Sequence, residues 1–192
     1  AKEVLDRLST TTKSYENITI GFDFNYKWGN PNNKDAMEID ESHNGILTTK
    51  GDEFLLEMDN KTIINDGTTQ WIYLADMNEV QIMNNDPEDN MMNPNKLLTI
   101  YERNYKYTYI GAKSEKGKRL QIINLFPKKS REFIQITIAI DAAKNQLERI
   151  TVNDKHGGTY TYLIKSFKSN TTIKPFIFNT SDFPGIEVID LR

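Results

Sequence analysis

Two histidines, no cysteine and scattered carboxylates are the metal-ligating side chains of this 192-residue chain. A metal centre needs His, Cys, Asp or Glu gathered at helical or strand spacing. His43 lies in a polar strand segment and His156 in a turn, each without such a neighbour. The absence of thiols excludes disulfides, zinc–thiolate sites and cysteine nucleophiles, and sits comfortably with an oxidising compartment. Asp86, Glu88 and Asp89 form an acidic loop without the regular ligand spacing of an EF-hand, so a solvated turn is the plainer reading. The glycines at 157 and 158 precede neither Lys-Ser/Thr nor a helix, so they make no phosphate loop. No catalytic residue, metal or cofactor is expected, and the chain reads as a non-enzyme.

The charge balance narrows the partners. A net charge of −3 and a sequence pI of about 5.5 exclude nucleic acid as the main ligand, because phosphate binding needs a strongly basic face. Two basic clusters, KSEKGKR at 113–119 and KKSR at 128–131, fall in expected hairpin loops. They are either solvated turns or docking points for an acidic partner or an anionic bilayer. Four Asn-x-Ser/Thr sequons, at Asn17, Asn60, Asn170 and Asn179, matter only in a eukaryotic secretory pathway. No apolar run is long enough to span a membrane as a helix. The opening AKEVLDRL already reads as folded chain, so any signal peptide is expected to have been removed.

What remains is the chemistry of apolar burial. In ITIGFDFNYKW (18–28), Ile18, Ile20, Phe22, Phe24, Tyr26 and Trp28 alternate with Thr19, Asp23, Asn25 and Lys27. Side chains in a strand swap faces at each residue, so one face of this strand is an aromatic stripe. Similar stripes occur at Trp71 and Tyr73, at Tyr105, Tyr107 and Tyr109, and at Tyr160, Tyr162 and Ile164. They read either as ordinary core or as the wall of a cavity.

The elements that carry these stripes follow from periodicity. Val4, Leu5 and Leu8 predict an amphipathic helix over 2–13, and NKLLTIYER predicts a second over 95–103. Strands are predicted over 18–28, 36–49, 53–59, 61–65, 69–75, 78–83, 104–111, 118–126, 132–141, 146–153, 158–168, 173–179 and 185–191. Short turns between them imply antiparallel neighbours. The chain therefore reads as mainly β (α+β), one domain over 1–192. It is expected to form a single curled antiparallel sheet, an unclosed β-barrel of about 11 strands. A sheet of that many strands tends to curl, and around eight strands already suffice to hold a small ligand.

A more specific signal is NDGTTQWIYLADMNEVQI (65–82). It resembles the central motif of the periplasmic lipoprotein carrier family, LolA, in Asp66-Gly67, Trp71, Tyr73, Asn78 and Val80. The helix leading into an aromatic strand, the segment with Pro94, Leu97 and Leu98, and the closing FIFNTSDFPGIEVIDLR agree in order along essentially the whole chain. One departure is clear: Lys50-Gly51-Asp52-Glu53 lacks the arginine on which the family's lid latch depends. The resemblance implies helices acting as a lid over an apolar cavity. It implies a monomeric periplasmic carrier that takes acylated lipoproteins from an inner-membrane lipoprotein-releasing transporter to an outer-membrane acceptor. A related lipid- or lipoprotein-binding acceptor, or an envelope-stress sensor on the same half-barrel, is the alternative. On that reading Ile20, Phe22, Phe24, Tyr26, Phe54, Leu56, Trp71 and Tyr73 line the cavity. Leu5, Leu8, Met91, Met92, Leu97 and Leu98 belong to the lid.

Overall fold

The structure, a computed structural model, describes residues 1–29, 39–85, 105–129 and 133–192. Helix α1 (Lys2–Lys13) covers the span that the periodicity predicts. Its Val4, Leu5 and Leu8 are buried, and Glu3–Arg7 and Lys2–Asp6 ion pairs line its wet side. It ends after the run Thr10-Thr11-Thr12, whose β-branched side chains favour helix weakly.

Twelve strands follow: β1 (Ile18–Trp28), β2 (Ile39–Lys50), β3 (Glu53–Met58), β4 (Lys61–Asn65), β5 (Thr69–Leu74) and β6 (Glu79–Asn84), then β7 (Tyr105–Glu115), β8 (Lys118–Pro127), β9 (Phe133–Asp141), β10 (Gln146–Asp154), β11 (Gly158–Ser169) and β12 (Glu187–Asp190). They form one sheet in the order β12-β6-β5-β4-β3-β2-β1-β11-β10-β9-β8-β7. The order is linear, with β12 and β7 at its ends.

Four expectations change. Among the described residues the sheet has twelve strands rather than about eleven. The described residues hold one α-helix where two are expected, and the second predicted span, 95–103, lies outside them. The strand expected over 173–179 does not form. Pro175 removes a ladder donor there, and the segment is held by rings instead: Phe176 and Phe178 are buried while Ile177 is exposed. Finally, β12 pairs with β6 in parallel, Val188 opposite Val80, which departs from an all-antiparallel sheet. Residues 170–186 lead from β11 to this edge position beside β6.

The chain divides into two compact units. The first comprises 1–14, 22–43 and 98–165; the second comprises 15–21, 44–97 and 166–192. In the first unit the register fixes one apolar face. Ile138 of β9 lies opposite Ile123 of β8 and Ile150 of β10, and Ile150 lies opposite Tyr162 of β11. Ile136, Leu125, Val152 and Tyr160 repeat the row one step along. The other face carries Asn124, Thr137, Thr151 and Thr161, with a hydrogen bond from Thr137 to Asn124 (2.8 Å). Helix α1 lies against β10.

In the second unit the turns set which residues share a face. Phe54 lies opposite Asn65, which lies opposite Gln70; Leu56 lies opposite Ile63, which lies opposite Ile72. Trp71 instead lies opposite Ile64, and Tyr73 opposite Val80. Phe54 and Leu56 therefore point to one side of the sheet, and Trp71 and Tyr73 to the other.

Candidate apolar binding site

In the first unit Phe22, Phe24, Tyr26, Tyr160 and Tyr162 bring their rings together on one face. Phe22 packs on Tyr162 with ring centroids 5.7 Å apart, and Phe24 packs on Tyr162 at 5.0 Å. Phe24 also stacks on Tyr160 at 6.3 Å, and Tyr26 stacks on Tyr160 at 4.7 Å. His43 lies over Phe24 at 6.2 Å. The long alternation of β1 and the Tyr160/Tyr162 repeat of β11 produce this ladder directly. Phe22 is buried, whereas Phe24, Tyr26, Tyr160 and Tyr162 are only half-buried. On the same face Ile123 and Ile140 are sealed at 0% exposure. The aromatic surface thus runs outward from a closed core.

A polar anchor ends the ladder. Asp154 is buried, and its Oδ1 accepts hydrogen bonds from the backbone N–H of His156 (2.7 Å) and of Gly158 (2.8 Å). Trp28 Nε1 donates to the His156 carbonyl at 2.9 Å. Burial, then the neighbouring Tyr26 and Asp154, pushes the Tyr160 phenol up to about 12. Burial also raises Tyr162. Both phenols therefore stay neutral at any physiological pH, and the face carries no charge on these rings. Gly158 is required where it stands: a Cβ there would overlap Asp154 Oδ2 and meet Tyr26 Cε2 at 3.1 Å.

The expected cavity residues fall in both units, and in the second they fall on two faces of the sheet. Phe22, Phe24 and Tyr26 sit together in the first unit. In the second unit Phe54 and Leu56 are 1% and 3% exposed, and Leu56 lies opposite Leu47 and Ile63. A Thr19–Thr48 hydrogen-bond contact of 3.2 Å, with Thr48 opposite Leu55, places Ile20 on the Phe54 side. Trp71 and Tyr73 occupy the opposite face. Tyr73 packs on Phe183 (4.5 Å) and Phe178 (5.9 Å), which stack on each other at 4.9 Å. Of the expected lid, Leu5 and Leu8 are 1% exposed on α1; Met91, Met92, Leu97 and Leu98 lie outside the described residues, as does the acidic loop at 86–89.

Of the residues that carry the sequence resemblance, Asp66, Gly67 and Asn78 take part in turns and in a tie to the closing segment. Asp66 Oδ1 accepts from the N–H of Thr68 and Thr69, and Asn65, fully buried, accepts from Gly67 N–H at 2.7 Å. Asn78 Nδ2 donates to the Pro184 carbonyl at 3.3 Å, which ties the motif to the closing segment. Tyr160, Tyr162 and Asp154 stand beside Phe24 and Tyr26 in this candidate site, though the expected cavity set does not include them. Their signal is the Tyr160/Tyr162/Ile164 alternation, which is visible in the sequence but joins β1 only through the strand order.

Residues 33–181 match the family described as outer membrane lipoprotein carrier protein LolA. Among solved structures, an uncharacterized conserved protein from Thermus thermophilus is similar, with a TM-score of 0.63, 11% identity and 98% of each chain covered. The LolA superfamily protein NE2245 from Nitrosomonas europaea shares 11% identity at a TM-score of 0.49, over 93% of this chain and 97% of that one. LprF from Mycobacterium bovis shares 13% identity at a TM-score of 0.49, over 91% and 97%. Of these three, the Thermus protein speaks to the fold, and only to the fold. No curated protein matches the sequence. The family match spans well over half of the chain, and this chain therefore belongs to the LolA family.

Proposed function

We propose that this protein is a periplasmic carrier that binds the acyl chains of lipoproteins and shuttles them from the inner to the outer membrane. The observation that carries the reading is the half-open aromatic ladder of Phe24, Tyr26, Tyr160 and Tyr162, continuous with a sealed aliphatic core. Such a face suits alkyl chains, which need area and shape rather than directed polar contacts. Each buried CH₂ is worth roughly 0.8 kcal/mol, so two or three chains of about fifteen carbons total roughly 25–35 kcal/mol. Free crossing of water is then negligibly slow, and a protein surface that covers the chains removes most of the barrier.

The carrier must also let go. A movable apolar element that competes with the lipid meets that need, and α1, with Leu5 and Leu8 turned inward, is the described element suited to it. Family membership supports the cargo class. The neutral phenols of Tyr160 and Tyr162 keep the surface apolar around the chains. Native mass spectrometry of protein purified from its own envelope tests the reading. Co-purifying di- or triacylated material is the expected result; protein that leaves the envelope without acylated mass, under conditions that preserve lipid adducts on a control carrier, overturns it.

A further inference from the structure

One end of the first unit concentrates positive charge. The β7–β8 hairpin turns through Lys116-Gly117, whose φ values of 49° and 77° give the primed twist that a two-residue hairpin needs. Residues 113–119 and 141–149 together hold six basic side chains against three acidic ones, in a chain whose net charge is −3. The two segments are joined at that end by the hydrogen bond from Ala142 N–H to the Arg119 carbonyl (3.0 Å). Two cations are neutralised locally: Arg149 pairs with Glu115 at 2.9 Å and Lys118 with Glu148 at 2.7 Å. Asp141 Oδ1 is occupied by the backbone N–H groups of Ala143 and Lys144.

Lys113, Lys116, Arg119 and Lys144 are left exposed, and none forms an ion pair with a described residue. Lys113 and Lys116 are near enough that, after the Arg149 hydrogen bond and charge, they help hold the Glu115 carboxyl below its ordinary range. Three residues along β7 from Lys113, a bulge exposes Ile110, and Tyr109 beside it is exposed too. They are 52% and 42% accessible on the strand at the end of the sheet. Cations beside an exposed aliphatic and an exposed tyrosine match the layered chemistry of a bilayer surface, with headgroup phosphate outside and the glycerol region beneath.

We propose that the β7 edge and its hairpin tip dock the protein on an anionic phospholipid bilayer. Lys113, Lys116, Arg119 and Lys144 meet lipid phosphates, while Tyr109 and Ile110 enter the interfacial layer. Flexible lysines without fixed partners suit a diffuse headgroup layer better than the matched forks of a protein ion pair. The inference does not depend on acyl-chain carriage, since it concerns a different surface.

The test is co-sedimentation of the full chain with vesicles of phosphatidylcholine alone or with one-third phosphatidylglycerol, at low and at high salt. The expected result is binding only to the anionic vesicles, lost at high salt because screening shortens the reach of the charges. Replacing Lys113, Lys116, Arg119 and Lys144 together by Gln should weaken binding by roughly a hundredfold or more, at about fivefold per cation. Tyr109→Ser with Ile110→Ser should weaken it further without removing its salt dependence. Affinity for a soluble fluorescent fatty acid should be unchanged in the four-Gln variant, which separates this surface from the aromatic face. Equal binding to both vesicle types, undiminished binding by the four-Gln variant, or no binding to either vesicle overturns the proposal. Retention on immobilised polyglutamate without any vesicle binding assigns the patch to an acidic polypeptide and likewise overturns it.

Discussion

The ring of Tyr26 stacks on the ring of Tyr160 at 4.7 Å, and the buried Asp154 carboxylate lies beside both. In the folded protein Tyr160 keeps its proton up to about 12, while an unfolded chain loses it near 10. A folded-state value above the unfolded one contributes stability that is complete below pH 10 and is lost as the pH climbs towards 12. We predict that urea midpoints of the wild type fall between pH 10 and 12, and that Tyr160→Phe flattens this fall. Identical alkaline slopes for the two proteins would show that Tyr160 titrates normally.

Leu56 is 3% exposed and packs opposite Ile63 in the second unit. We predict that its truncation acts first on stability. Leu56→Ala should cost about 2–5 kcal/mol of stability by denaturant unfolding, the usual range for a buried leucine. Leu56→Asp should prevent folding of that unit. A stable, folded Leu56→Asp protein that has only lost lipid binding would return this residue to the cavity wall.

At Gly158 there is no room for a methyl group between Asp154 and Tyr26. Gly158→Ala should lower stability by about 1–3 kcal/mol through overpacking. The accompanying sign is a changed tyrosine near-ultraviolet circular dichroism signal, since the Tyr26–Tyr160 stack must shift. An unaltered signal and melting temperature would mean that the turn relaxes freely.

Phe183 holds the closing segment onto the sheet through Tyr73 and Phe178. Each ring pair is worth about 0.5–1.5 kcal/mol beyond its buried area. Phe183→Ala should therefore expose the residues after 170 to limited proteolysis while the rest of the chain resists. Equal cleavage rates in wild type and variant would place the anchoring in β12 alone.

Much of this organisation is legible in the sequence. The alternation in 18–28 marks β1 to the residue, and Val4, Leu5 and Leu8 mark α1. The grouping of Phe54 and Leu56 with Trp71 and Tyr73 fails for a countable reason. A two-residue turn at Asp59-Asn60 sets Phe54 against Asn65, and the next turn sets Asn65 against Gln70, so the odd-numbered rings of β5 face the other way. Alternation within a strand is local, whereas the face shared between strands depends on every intervening turn. The parallel pairing of β12 lies further still from sequence patterns, because it is fixed by where a long connection lands. The motif points to the right family through residues that build turns, Asp66-Gly67 and Asn78, while the half-open rings of Tyr160 and Tyr162 form a plain alternation.

The central claim is that acyl chains lie on the Phe24 face, and titration of a fluorescent long-chain acyl probe into wild-type protein and Phe24→Asp tests it most directly. Phe24 is half-buried, so the variant should keep its β-sheet circular dichroism spectrum, while a charge set against the alkyl chain should weaken probe binding by about a hundredfold or more. Equal affinity in the two proteins, with both folded, would contradict the account.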